Sequence, residues 1–198
     1  MKKTLLFTTL ILGLMTSLEA QVRPNPYDSL PLVPAFNLTS NDVITGVALA
    51  PAQMSGAFGV PGGKDLSPQL TWSKAPTGTK SFVVTMFDPD APTPSGFWHW
   101  IVVDIPAGTT TLPTGAGAPD GKLLAKGAWQ LPNDARMAQF VGAAPPAGSG
   151  KHRYFIVVQA LDVATLDVPK DATPAFLSFN LLGHILGRAM LVPYAEQK

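Results

Sequence analysis

Three short stretches of the chain combine residue types that can do chemistry. The first is Asp88-Pro89-Asp90-Ala91-Pro92, two carboxylates interleaved with prolines. Each proline fixes its own φ and restricts the residue before it, so the carboxylates sit on a rigid acidic corner. The same residue types also build ordinary turns. The second is His99, set between Trp98 and Trp100, where an imidazole must find a partner or bear the cost of desolvation. A backbone carbonyl would serve, and so would a carboxylate of the nearby corner. The third is Gly142 to Tyr154, a Gly/Pro-rich loop running into His152-Arg153-Tyr154. Exposed backbone N–H groups beside cationic and phenolic donors suit a small oxyanion, although a plain hairpin loop has the same composition.

Strands must position these groups. Ser81–Phe87, Phe97–Ile105 and Arg153–Leu161 are rich in Val, Ile and aromatic residues and are bounded by Pro or Gly clusters. Strict alternation in the second places Phe97, His99, Ile101 and Val103 on one face, and Trp98, Trp100, Val102 and Asp104 on the other. Both faces are largely apolar, which marks an interior strand of a covered sheet. Ala35–Thr39 and Leu70–Trp72 read as shorter strands, and Met190–Tyr194 as a last one. Thr173 as N-cap with Pro174 at the first helical position predicts a helix running to about Arg188, with His184 on it in a structural role. Residues 21–34 are Pro-rich and read as an extended arm over the surface of a single domain, residues 35–198. The fold class expected is mostly β, two antiparallel sheets packed as a sandwich with a few peripheral helices.

Taken together, Asp-Pro-Asp-Ala-Pro, Trp-His-Trp and the loop ending in His152-Arg153-Tyr154 resemble the phosphatidylethanolamine-binding protein family, which includes the Raf kinase inhibitor proteins. The short spacer between Pro92 and His99 and the Gly183-His184 pair look like its bacterial branch. Asp65-Leu66-Ser67-Pro68, Lys80-Ser81-Phe82 and Asn133-Asp134 add to the likeness, which spans about Phe36 to Leu191. The resemblance implies a two-sheet fold and an anion pocket lined by Asp88, Pro92, His99, Ala144, Pro145, His152 and Tyr154, with Asp90 at the rim. Ala144 stands where the family commonly has glycine. The resemblance also allows a homodimer and a protein partner. Within such a pocket Asp88 is expected to accept a hydrogen bond from His99 and so favour its imidazolium facing a phosphate.

Composition narrows the remaining choices. Met1-Lys2-Lys3, an uncharged run from Thr4 to Met15 and the small Ala20 match a secretory signal peptide cleaved near Ala20, which leads to a periplasmic or secreted protein. The apolar run is shorter than the roughly 20 residues that span a bilayer, so no integral membrane segment is expected after cleavage. Without Lys2, Lys3 and Glu19 the basic and acidic residues number 12 each. A balanced charge argues against nucleic acid as a partner. No cysteine is present, and the three histidines leave little for a metal site, so no cofactor is expected. Gly59–Lys64 and Gly148–Lys151 resemble phosphate loops but lack the spacing or the following helix. The reading is an exported binding protein for a small anionic or phosphorylated ligand. Two others stand beside it: a protease inhibitor or host-interaction protein acting through Gly108–Pro132, and a hydrolase using Asp88, His99 or His152 as acid and base.

Overall fold

The structure, a computed structural model, describes residues 24–198. The signal peptide expected from the sequence and its cleavage point lie outside the described residues. In chain order the strands are β1 (Asn37–Thr39), β2 (Leu70–Ser73), β3 (Ser81–Asp88), β4 (Phe97–Pro106), β5 (Thr111–Leu112), β6 (Trp129–Gln130), β7 (His152–Arg153), β8 (Phe155–Leu161), β9 (Ile185–Leu191) and β10 (Tyr194–Ala195), with one α-helix, α1 (Pro174–Leu181), before β9. A five-stranded sheet of order β6-β4-β3-β8-β9 faces a three-stranded sheet of order β1-β2-β5, and β10 pairs with β7 in a small ribbon. Every pairing is antiparallel. The mostly β, two-sheet architecture expected from the sequence is the one observed, with the ribbon added.

The continuous apolar runs of β3, β4 and β8 have a direct cause: the large sheet is covered on both faces. Between the sheets lie Trp72, Phe82, Val84, Met86, Trp100, Val102, Leu112, Ile156 and Val158. On the outer face Val83, Ile101, Val103 and Leu161 pack against Leu177 and Leu181 of α1. Residues 24–34 are docked rather than simply extended, with turns at Asn25–Leu30 and Tyr27 buried against Phe155.

Four local expectations change. Strict alternation in β4 fails, because Met86 pairs with Trp100 while the next residue, Phe87, pairs with Trp98. His99 is therefore an extra residue in a β-bulge, and the two tryptophans go to opposite faces. Trp98 stacks on Phe87 at 4.5 Å on the outer side, whereas Trp100 meets Phe140 edge-on in the core. The helix starts as predicted, with Thr173 Oγ1 accepting from Phe176 N–H, but ends at Leu181. Gly183, with φ of 91°, turns the chain, and pairing with β8 then draws Ile185–Leu191 into a strand. His184 lies in that turn, half-buried, with Nδ1 2.8 Å from Asp162 Oδ1. The strand expected over Arg153–Leu161 is broken at Tyr154, whose N–H donates to Pro193 O. Finally, Gly108–Pro132 contributes two short strands, β5 and β6, that its composition did not reveal.

One glycine fixes the start of the loop that runs from the core to β7. Gly142 packs so closely that a Cβ there would overlap the backbone of Met54 and Ser55. Gly142→Ala is expected to cost about 1–3 kcal/mol of stability, read from the shift of a urea unfolding midpoint, because backbone on both sides must move.

Candidate functional site

Asp88, the last residue of β3, organises the end of the sheet. Its Oδ1 accepts from the backbone N–H groups of Asp90 and Ala91, at 2.8 and 3.0 Å, closing the Asp-Pro-Asp-Ala-Pro turn. Its Oδ2 lies 2.8 Å from Nδ1 of His152 on β7. Both side chains are almost fully buried. The Ser149 hydroxyl oxygen lies 2.7 Å from Pro146 O and 3.0 Å from His152 Nε2. Both ring nitrogens of His152 are thus engaged, Nδ1 with Asp88 and Nε2 with Ser149.

The expected Asp88–His99 pair is not formed. The bulge in β4 swings His99 toward loop 141–151, where its Nδ1–H donates to Val141 O at 3.0 Å. Burial lowers the pKa of His99 below the usual histidine value, more than the bond to Val141 and the charge of Asp88 raise it. His99 is thus a neutral imidazole near pH 7, with Nε2 left as an acceptor. Its ring is edge-on to Tyr154, 5.2 Å between centroids, and tilted against Phe97 at 4.9 Å.

Tyr154 is fully buried, and its hydroxyl makes no hydrogen bond of normal geometry. Burial first, then the charge of Asp88 and a weak side-chain interaction with it, push the phenol far above its ordinary value, so it is a neutral O–H beside the Asp88 carboxylate. Asp88, Pro92, His99, Ala144, Pro145, His152 and Tyr154 together line a cavity of about 220 Å³. Of the residues singled out from sequence, Asp90 alone is not in its wall. Asp90 grips Arg153 instead, through Nε (2.8 Å), Nη2 (2.7 Å) and the backbone N–H (3.0 Å). It is a strut between the acidic corner and β7.

Several supports were not foreseen. Val141 sets the tautomer of His99, and Ser149 engages the far nitrogen of His152. Gln197 near the C-terminus donates from Nε2 to Pro145 O at 2.6 Å and accepts from Gly148 N–H at 3.0 Å, pinning the loop from outside. Asp65 braces it from inside, through Gly142 N–H at 2.8 Å. Phe58 reaches the cavity and meets Phe97 edge-on at 6.5 Å. Only Asp65 carried a sequence signal, as part of Asp65-Leu66-Ser67-Pro68. The others act through contacts between segments far apart in the chain. Among the described residues no group of three or more His, Asp or Glu is placed to hold a metal ion.

Comparison with known proteins places this geometry. Residues 39–195 match the family profile described as phosphatidylethanolamine-binding protein. The chain is 45% identical to YbcL of Escherichia coli K12 over 164 residues, 83% of this chain and 89% of that protein. It is 43% identical to YbhB of the same organism over 161 residues, 79% of this chain and 97% of that one. The crystal structure of YbcL, titled a new member of the mammalian PEBP family, superposes with a TM-score of 0.79, covering 82% of this chain and 99% of the other. A homologue from Chlamydia trachomatis, 28% identical, superposes with a TM-score of 0.69, covering 83% and 99%.

The strut gives a pH-dependent prediction. Burial pushes the Asp90 carboxyl up, but the bonds and charge of Arg153 outweigh it and hold the carboxyl below its ordinary value. A depressed carboxylate pKa stabilises the fold above the ordinary aspartate range, and that contribution is lost as pH falls through the folded value. Asp90→Asn is expected to cost about 1–2 kcal/mol at pH 7, with the gap to the parent closing below about pH 4, measured by urea unfolding across pH.

Proposed function

The chain belongs to the phosphatidylethanolamine-binding protein family, and from that premise we propose that it binds a singly protonated phosphate monoester, free or as a lipid headgroup, rather than any anion of that size. The observation that carries this is the buried Tyr154 hydroxyl, which makes no hydrogen bond of normal geometry and sits in a cavity whose wall also holds Thr93, the Asp88–His152 pair and the neutral His99. A bare dianion would meet the Asp88 carboxylate with few donors to compensate, since both ring nitrogens of His152 and the Arg153 fork are already engaged. A monoanion with one P–OH fits differently. Its oxygens accept from Tyr154, and its hydroxyl donates to Asp88 Oδ2 or to His99 Nε2. Sulfate esters have no such hydrogen to give.

The reading is of a binding protein, in which Asp88 and His152 hold the walls rather than move protons. The Ala144 methyl narrows the approach to the loop backbone that a glycine would leave open. Affinity for methyl phosphate is expected to fall at least about tenfold between pH 5.5 and pH 8, because the second phosphate pKa is near 6. Methyl sulfate is expected to bind at neither pH, and Tyr154→Phe to lose about tenfold at pH 5.5. Titration calorimetry decides: equal binding of phosphate and sulfate esters, or indifference to Tyr154→Phe, overturns the reading.

Export follows from the N-terminal sequence. N-terminal sequencing of the protein recovered from the periplasm or medium is expected to begin at Gln21. Recovery of the protein only from the cytoplasm, with Met1 intact, would contradict it.

A further inference from the structure

The outer face of the large sheet holds a second cavity, of about 290 Å³. Its floor comes from Thr85 and Phe87 of β3, Trp98 of β4 and Gln159 of β8. Tyr27 from the N-terminal segment and Phe179 of α1 complete its wall. Among the described residues no charged side chain lines it; Arg188, whose guanidinium lies over the Tyr27 ring at 5.3 Å, is outside the wall.

Three buried polar atoms of these wall residues lack a hydrogen bond of normal geometry: Tyr27 Oη and Thr85 Oγ1, which lie near each other, and Gln159 Oε1. The residues are 8%, 2% and 5% exposed, so bulk water does not satisfy them. Burial pushes the Tyr27 phenol up to about 12, only partly offset by the nearby Thr85 hydroxyl, so Tyr27 too is a neutral donor. Unpaired buried polar groups cost stability, whereas apolar residues of the same shape would not. Three such groups around one cavity are therefore poorly explained as packing accidents. Water bridging these atoms is the competing occupant. Apart from Ser178 the rest of the wall is apolar, with Phe87 stacked on Trp98 at 4.5 Å and Phe179 73% exposed, so water would satisfy the polar atoms and leave the larger, apolar part of the lining without partners.

We propose that this cavity binds a small apolar molecule carrying one neutral hydroxyl or amide head. The head donates to Gln159 Oε1 and accepts from the Thr85 or Tyr27 hydroxyl. The body lies against Phe87, Trp98 and Phe179. A charged head is disfavoured, because the nearest charge, the Arg188 guanidinium, lies behind the Tyr27 ring and not in the wall. This site is separate from the phosphate site and does not depend on it.

The test compares 2-naphthol, naphthalene and 2-naphthoate at pH 7, followed by tryptophan fluorescence and by amide shifts. 2-Naphthol is expected to bind at least about tenfold more tightly than naphthalene, and 2-naphthoate not to bind. Shifts should fall at Phe179 and Leu182 rather than at Ala144. Thr85→Val combined with Gln159→Leu should erase the preference for 2-naphthol, keep naphthalene binding and raise the melting temperature. Thr85→Val alone keeps the side-chain shape and should halve the preference or more, which preserves the test if the double variant fails to fold. Equal affinity for 2-naphthol and naphthalene in the parent overturns the proposal. So does a preference surviving in the variants, tighter binding of 2-naphthoate, or a soaked crystal showing only water in the cavity.

Discussion

The end of the large sheet depends on one buried carboxylate. Asp88 uses one oxygen to close the turn after β3 and the other to hold His152 on β7. β7 does not pair with the large sheet but with β10, while the loop before it meets β4 through the mutual bonds of Val141 and His99. The Asp88–His152 bond, with the Asp90–Arg153 fork beside it, is what ties that ribbon to β3. Removing either partner would leave a buried polar group unpaired, which costs more than the bond itself contributes. The chemistry of the cavity therefore begins with a structural necessity.

That necessity decides which groups a ligand meets. His152 has both nitrogens committed and is part of the wall. His99, desolvated and bonded to Val141, presents an acceptor rather than a cation. Tyr154, too buried to ionise, presents a donor. The site is a mixed donor–acceptor array beside a carboxylate, and such an array distinguishes protonation states of a ligand in a way that a cluster of cations does not.

The bulge at His99 couples the two faces of the sheet. An unbroken β4 would send Trp98 and Trp100 to the same side. The inserted residue instead puts Trp100 into the core, turns Trp98 outward onto Phe87 and leaves His99 at the cavity beside Asp88. Trp98 then forms part of the outer cavity floor. One extra residue in a strand thus shapes both cavities, in keeping with the tendency of bulges to re-aim side chains beside sites.

What the sequence determined by itself is considerable. The apolar runs of β3, β4 and β8, the Thr173-Pro174 start of α1 and the mostly β class follow from local patterning. The likeness of Asp88–Pro92, His99 and His152–Tyr154 to one family brought seven of the eight candidate residues to one cavity. Tertiary structure alone decided the partners. Whether Asp88 meets His99 or His152 depends on a bulge, and a bulge depends on the register between β3 and β4, which no single strand encodes. The end of α1 was likewise set by the pairing of β9 with β8, which outweighs helical spacing after Gly183. The roles of Val141, Ser149 and Gln197, and the clustering of Tyr27, Thr85 and Gln159, arise between segments distant in the chain. Residue types and spacings announce which groups are present. Only the packed fold fixes which donor faces which acceptor, because hydrogen bonds form at distances set by every strand at once.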